Sequence, residues 1–277
     1  MTEEMKNIRK TIFLTGYSAS IAHIASAFSI VEILYVLYSK KILKVDPKNP
    51  DMQNRDKFIL SKGHGSLALY EVLCREGFFN KETLKTFSKP NSILGGEPTI
   101  PNIPGVEATT GSLGHGLSIG VGMALANKMD DKSEKVYVLL GDGELEEGTV
   151  WEALMFASHK KLDNLVIIVD CNKIQKMGKV EDIISIESWK DKFLSFGFNV
   201  KEADGHSVDE LYKVFSEKNY TNKPIVVLCN TIKGKGVSIV ENNPRWHWKL
   251  PSKKELKIFM SELNISQEEI DECKNLI

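Results

Sequence analysis

Two oxygen-bearing side chains stand at the ends of consecutive strand-like runs and could share one cation. Asp142 lies between Gly141 and Gly143 directly after an apolar run, and Asn172 follows the next apolar run thirty positions further along. In a βαβ unit this spacing brings the carboxyl ends of two parallel strands side by side. Hard oxygen ligands, together with phosphate oxygens, are what Mg²⁺ prefers, and the glycines let the backbone approach a phosphate closely. The pattern predicts a Mg²⁺ and phosphate site, although Asp-Gly alone is also an ordinary turn.

The elements that must position these residues follow from the apolar pattern. Short β-branched runs alternate with helical stretches at residues 57–60, 136–140, 165–170, 198–201 and 224–230. Strands separated by helices predict an α/β fold with a mostly parallel central sheet and helices on both faces.

Helical signals frame this sheet at both ends of the chain. A spacing of three and four residues from Ile30 to Tyr38 predicts a buried amphipathic helix. Ser252 with Glu255 has the capping-box pattern, which predicts a final helix to about Leu263. We expect the polar tail beyond it to be peripheral.

Composition bounds the class of protein. The chain has 277 residues, 42% of them hydrophobic, and a formal charge of −1, so no overall field favours nucleic acid or an anionic membrane. We interpret residues 1–277 as one domain with a short helical tail from about 252, and no apolar run is long enough to cross a bilayer. The N-terminus lacks the features of a secretory signal, so we expect a cytoplasmic location. Four scattered cysteines without a CxxC pair predict packing roles.

The segment from residue 141 to 175 resembles the thiamine-diphosphate and Mg²⁺ signature of transketolase-like enzymes. Further blocks resemble transketolase in the same order, at residues 22–24, 60–65, 104–114, 231–236 and 246–247. Pyruvate-dehydrogenase-type subunits share the GDG and Asn elements, but the LSKGH and PGVEATTGSLG blocks favour transketolase. The resemblance extends from about residue 10 to about residue 260.

The resemblance implies roles for particular residues. Asp142, Asn172 and the backbone carbonyl of Ile174 would bind Mg²⁺. The residues that it implies at the cofactor are Lys62, Gly111, Leu113, Gly141, Gly143, Glu147 and Lys233. For either lysine alone a solvated surface position is the competing interpretation, and a solvated first helical turn competes for Glu144, Glu146 and Glu147.

Three histidines fall in matching blocks. His23, His64 and His247 suit proton transfer to and from sugar hydroxyls, because imidazole titrates near neutrality. His159 and His206 are expected to be structural. His115 is expected either to be structural or to support the site indirectly.

Four positions depart from the family pattern. Ala22 and Ala25 replace glycines beside the first histidine, Trp248 replaces a glycine, and Glu97 occupies the place of a histidine that faces the donor's hydroxyls. One explanation is a loop that has moved away from the site. The other is an atypical sugar substrate, with Glu97 as a catalytic-site residue.

Only the first of the three transketolase domains is matched. The resemblance therefore implies the N-terminal subunit of a split enzyme, inactive alone, with a partner subunit that carries the pyrimidine-binding domain in an α2β2 assembly. Its reaction would be transfer of a two-carbon ketol unit. The alternatives are decarboxylation of a 2-oxo acid with acyl transfer by the same cofactor, and a non-catalytic scaffold.

Overall fold

A five-stranded parallel sheet forms the centre of the computed structural model, which describes residues 1–21, 23–185, 188–219 and 221–275. The strands are β1 (Lys57–Leu60), β2 (Val136–Gly141), β3 (Leu165–Cys171), β4 (Asn199–Asp204) and β5 (Ile225–Asn230). Their order in the sheet is β1-β2-β3-β5-β4, and every neighbouring pair is parallel. The predicted α/β class and all five predicted strand positions are confirmed.

Helices cover both faces of the sheet. They are α1 (Glu3–Ser18), α2 (Ile24–Phe28), α3 (Val31–Ser39), α4 (Ser66–Glu76), α5 (Lys81–Leu84), α6 (His115–Met129), α7 (Gly148–His159), α8 (Val180–Ile183), α9 (Trp189–Ser195), α10 (Val208–Ser216), α11 (Lys253–Glu262) and α12 (Gln267–Asn275). None of the helices in the described ranges is long and apolar enough to cross a membrane.

The core consists of two apolar layers separated by the sheet. Leu139 and Ile168 point into the layer formed with α1, α3 and α4, whereas Val138 and Ile167 point into the layer formed with α6 and α7. Because both faces of the central strands are buried, their sequences are continuously apolar and not alternating.

Helix α3 differs from the amphipathic helix that the spacing predicts. Residues 31–38 are all buried, including Glu32, so α3 has no solvent-facing stripe. It is enclosed because α1, α4 and α10 all pack against it. The carboxylate of Glu32 forms a two-point ion pair with the fully buried Arg9 of α1.

The C-terminal residues also differ from the prediction. The capping box at Ser252 and Glu255 is present and α11 ends at Glu262, as expected. The tail beyond it is not peripheral, because α12 packs on α1, Ile270 is fully buried and the Cys273 Sγ lies 3.7 Å from the Leu14 carbonyl. The buried residues Ile270 and Cys273 attach this otherwise polar helix to the domain.

Candidate active site

The carboxyl ends of three central strands meet at one edge of the sheet. The parallel register pairs Gly141 of β2 with Asp170 of β3, and Cys171 of β3 with Asn230 of β5. The residues that follow each strand are therefore adjacent in space, which is where open α/β sheets bind ligands.

The three predicted metal ligands converge at this edge. Asp142 is buried and its carboxylate accepts hydrogen bonds from the backbone N–H of Gly143, at 2.8 Å, and of Lys173. The Asn172 Oδ1 accepts from the Ile174 N–H at 3.1 Å, and the Ile174 carbonyl accepts from the Lys233 Nζ at 2.8 Å. A carboxylate, an amide and a backbone carbonyl are the hard oxygen donors that suit Mg²⁺.

The electrostatics of Asp142 fit a cation at this point. Burial, and then the negative charge of nearby Asp170, raise the pKa of Asp142 to about 7. A buried carboxylate with a raised pKa is one that a divalent ion would stabilise in its charged form. The residues present therefore fit the metal that the sequence predicts.

Lys62 is held by a buried carboxylate that the sequence did not single out. The Lys62 Nζ lies 2.5 Å from the Asp170 Oδ2, and these side chains are only 1% and 0% exposed. Asp170 also accepts from Ser29, Asn172 and Thr231. Burial would raise the pKa of Asp170, but the Lys62 ammonium and the hydroxyls of Thr231 and Ser29 hold it below its ordinary value.

Lys233 is also buried, and this excludes the surface position that was the competing interpretation for both lysines. Burial, and then the positive charge of Lys62, lower the pKa of Lys233 to about 8. Its Nζ lies 2.9 Å from the His247 Nδ1. Lys233 thus connects the predicted metal ligands to the predicted catalytic histidines.

The three predicted catalytic histidines form one cluster. Ring centroids are 5.5 Å apart for His23 and His64, 5.5 Å for His23 and His247, and 5.7 Å for His64 and His247. The Trp248 ring, 55% exposed, lies edge-on to His23 at 4.3 Å. Ala22 lies outside the described residues.

Burial and the nearby lysines keep these imidazoles neutral. They lower the pKa of His23 to about 4 and that of His247 to about 3, and they hold the pKa of His64 well below its ordinary value. A neutral imidazole can accept a proton or a hydrogen bond from a substrate hydroxyl. The cluster can therefore act as a set of hydrogen-bond acceptors at neutral pH.

Glu97 remains beside the predicted cofactor residues. A Cβ on Gly111, whose φ is +141°, would overlap the Glu97 carboxylate, and a Cβ on Gly63 would lie 2.9 Å from the Gly111 nitrogen. The loop of Glu97 therefore lies against Gly111, one of the predicted cofactor residues.

Glu144 is a second buried carboxylate with a role that sequence reasoning missed. It is 2% exposed, and it accepts hydrogen bonds from the Ser61 hydroxyl at 2.5 Å, the Gly114 N–H at 2.9 Å and the Gly141 N–H at 3.1 Å. These donors come from three of the motif blocks, which Glu144 ties together. The solvated position is wrong for Glu144, whereas Glu147 is exposed. No local sequence signal marks Glu144 as buried, because two of its three donors, Ser61 and Gly114, lie far from it in the chain.

The remaining predicted residues are distributed around this framework. Leu113 is half-buried and its carbonyl lies 3.1 Å from the Nδ1 of the exposed His115. Gly143 adjoins the Gln175 side chain, and the Ala25 carbonyl accepts from the Gly234 N–H at 3.0 Å. The roles expected for individual site residues stay predictions.

The carboxyl edge of this parallel α/β sheet combines hard oxygen donors, buried lysines and neutral histidines, which are groups that could hold an anionic cofactor together with a divalent cation. Residues 5–268 match the family described as transketolase, thiamine diphosphate binding domain. The chain belongs to the transketolase family, and the expected thiamine-diphosphate-binding fold is confirmed.

Three relatives illustrate the similarity. The chain is 41% identical over 268 residues to the apulose-4-phosphate transketolase A-subunit of Phocaeicola vulgatus, covering 96% of this chain and 95% of that one. It is 41% identical over 241 residues to the 6-deoxy-6-sulfo-D-fructose transketolase subunit SqwG of Clostridium sp., covering 87% of each. It is 40% identical over 235 residues to the transketolase of Homo sapiens, covering 84% of this chain and 37% of that one.

A solved structure gives the same picture. The transketolase of Campylobacter jejuni superposes with a TM-score of 0.86 at 30% identity, over 100% of this chain and 46% of that one. The chain thus spans less than half of that transketolase but nearly all of the Phocaeicola vulgatus relative, which is named as one subunit of its enzyme. The resemblance to the N-terminal subunit of a split transketolase is confirmed.

We predict that Glu144→Gln destabilises the chain by about 1–3 kcal/mol, because an amide NH₂ would face backbone N–H donors that now bind a carboxylate. Glu147→Gln is the matched control, since it makes the same change in an exposed side chain and should stay within about 0.5 kcal/mol of wild type. Urea unfolding of the purified chains measures both. Equal stabilities of the two variants would contradict the role given to Glu144.

Proposed function

We propose that the chain is the N-terminal, diphosphate-binding subunit of a transketolase-like transferase that depends on thiamine diphosphate and Mg²⁺. It would move a two-carbon ketol unit from a ketose or ketose-phosphate donor to an aldehyde acceptor. The observation that carries the proposal is the convergence of Asp142, Asn172 and the Ile174 carbonyl with buried Lys233 and the histidine cluster at one sheet edge.

The chain's own groups would bind, orient and move protons around the cofactor. Thiamine diphosphate, when bound, supplies the nucleophilic carbon and the electron sink that ketol transfer requires. Asp142, Asn172 and the Ile174 carbonyl would hold Mg²⁺ against the diphosphate. Lys233 would add a positive charge beside the phosphate oxygens. The backbone at the other predicted cofactor positions would line the same cleft.

The neutral histidines would handle the substrate's hydroxyls. Their lowered pKa values keep the rings neutral at pH 7, so their lone pairs are free to accept hydrogen bonds from these hydroxyls. The Lys233 ammonium beside His247 would oppose a second positive charge on that ring, so a proton taken there would be released readily. Ready release of the proton suits a catalytic cycle in which each proton taken from a substrate hydroxyl is later returned.

A partner subunit would complete the site. The chain spans 46% of the Campylobacter jejuni transketolase, and relatives of its own length are named as single subunits of a transketolase. The exposed Ile119 of α6 and the exposed Met155 and Phe156 of α7, two helices that pack together, suit a covered surface. We place the pyrimidine-binding domain on that partner, in an α2β2 assembly, and expect residues 1–277 to act as one domain in the cytoplasm.

The substrate would be an atypical sugar. The two split relatives are named for apulose-4-phosphate and 6-deoxy-6-sulfo-D-fructose, and Glu97 beside Gly111 gives this site a carboxylate that can accept from sugar hydroxyls. The acyl-transfer alternative is not favoured, because these relatives are transketolases. The buried oxygen donors and histidine cluster weigh against a scaffold.

Cofactor binding can be tested by thermal unfolding of the chain, alone and together with a chain that carries the pyrimidine-binding domain. At about 100 times its Kd, thiamine diphosphate with MgCl₂ should raise Tm by about 5 to 10 °C, because a ligand that binds only the folded state stabilises it. Part of this Tm shift should depend on Mg²⁺ and be abolished by EDTA. Asp142→Asn should remove that part.

Asp130→Asn is the matched control, since it makes the same substitution on an exposed side chain and should leave the shift unchanged. No shift in either preparation would sink the proposal and support the scaffold alternative.

A second prediction concerns the donor. With the partner present, Glu97→His should change the ratio of kcat/KM values between standard ketose phosphates and the natural donor by about tenfold or more, which corresponds to about 1.4 kcal/mol of differential transition-state binding. Glu82→His, on exposed α5, makes the same change of charge away from the site and should change nothing. Unchanged activity of Glu97→His toward every donor would exclude a specificity role for Glu97.

A further inference from the structure

A buried polar chain connects α1 to the loop that carries Lys233. Both guanidinium Nη atoms of Arg9 lie 2.7 Å from the two carboxylate oxygens of Glu32, and Arg9 also donates to the Phe28 carbonyl at 2.8 Å. The Glu32 Oε2 lies 2.9 Å from the Nδ1 of His206. The Nε2 of His206 in turn accepts from the Ile232 N–H at 2.8 Å.

The bonding fixes the tautomer of His206. Glu32 is a carboxylate and can only accept, because His206 and Arg9 lower its pKa to about 2 against the effect of burial. The His206 Nδ1 must therefore carry a proton. A backbone N–H can only donate, so the His206 Nε2 must be unprotonated. His206 is the neutral Nδ1–H tautomer.

The loop that His206 holds is anchored at three consecutive residues. The Thr231 hydroxyl donates to Asp170, the Ile232 N–H donates to His206, and the Lys233 Nζ donates to the Ile174 carbonyl. The neighbouring backbone is also held, since the Thr231 N–H donates to the Cys171 carbonyl at 3.3 Å and the Gly234 N–H to the Ala25 carbonyl at 3.0 Å. The Ile232 N–H, directly before Lys233, is the one of these three N–H groups that is bonded to a side chain, that of His206. The orientation of the His206 ring is set by Glu32, which is itself held by Arg9. Both residues lie far from the Lys233 loop in sequence.

We propose that His206 is a positioning residue that, oriented by Arg9 and Glu32, holds the Ile232 backbone so that Lys233 is aimed between the metal ligands and His247. The effect on the cofactor rests on the proposed function. The effect on the loop does not, because it is a property of the chain without ligand.

Two substitutions distinguish the contact made by the His206 Nδ1 from the contact made by its Nε2. In His206→Asn the shorter side-chain amide would overlie the Nδ1 end of the imidazole, where it can donate to Glu32 but does not reach the Ile232 N–H. In His206→Gln the longer side chain reaches the Nε2 end, where its carbonyl can accept from Ile232. The asparagine variant should therefore keep the buried ion pair satisfied and release the loop, whereas the glutamine variant should keep the loop in place.

Hydrogen exchange of the ligand-free chain, read by mass spectrometry, measures the loop directly. In His206→Asn the Ile232 amide, measured in a peptide covering residues 228–236, should exchange about tenfold faster than in wild type, since its one hydrogen bond is lost. Strand β3 should be unchanged in both variants, and His206→Gln should restore the wild-type rate. An unchanged rate for the Ile232 amide in folded His206→Asn would overturn the proposal.

If the asparagine variant does not fold, the bonding of His206 can still be tested on the wild-type chain. Nitrogen-15 spectra of the histidine rings at pH 7.5 should show His206 protonated at Nδ1 and bare at Nε2. A proton on Nε2, in either the neutral or the charged ring, would overturn the assignment.

Cofactor affinity then tests the consequence for the site. His206→Asn should weaken thiamine diphosphate binding in MgCl₂ by about tenfold in equilibrium dialysis, with His206→Gln close to wild type. The dialysis is run with the chain that carries the pyrimidine-binding domain present. If wild type does not bind the cofactor even then, the proposed function fails and the exchange result still stands. If wild type and His206→Asn bind equally while the loop is released, the positioning role fails.

Discussion

The buried ion pair between Lys62 and Asp170 fixes the edge of the sheet on which the site is built. Asp170 lies next to the last residue of β3, in the middle of the sheet, and is fully buried. Because its charge has no access to water, donors from the protein must stabilise it. Lys62, Ser29, Asn172 and Thr231 supply them from four different segments. The segments that carry the predicted metal and cofactor residues are therefore held relative to one another before any ligand binds.

The same arrangement recurs twice around this centre. Glu144 joins Ser61, Gly114 and Gly141, and Glu32 joins Arg9 to His206. Each carboxylate is buried and accepts several hydrogen bonds from distant segments, which makes the geometry unique at a cost in desolvation. Such rigidity suits a site that must hold a flexible anionic cofactor in one orientation.

Sequence reasoning found the features that are local. Continuous apolar runs predicted the five strands, and the Asp-Gly and Asn positions at their ends predicted the ligand edge. It missed the buried carboxylates because their partners are remote in sequence: Glu144 looks like its neighbour Glu147, yet one is buried and the other exposed. It predicted α3 as amphipathic and the tail as peripheral because periodicity does not report which other helices cover a surface.

The proposed function depends on the preorganised edge of the sheet binding thiamine diphosphate through a divalent cation held by Asp142, Asn172 and the Ile174 carbonyl. Anomalous diffraction from crystals soaked with thiamine diphosphate and MnCl₂ tests this most directly, since Mn²⁺ accepts the same oxygen ligands as Mg²⁺. We predict one strong manganese peak in contact with all three oxygens and with the diphosphate. Clear cofactor density with the manganese peak elsewhere, or with no peak, would contradict it.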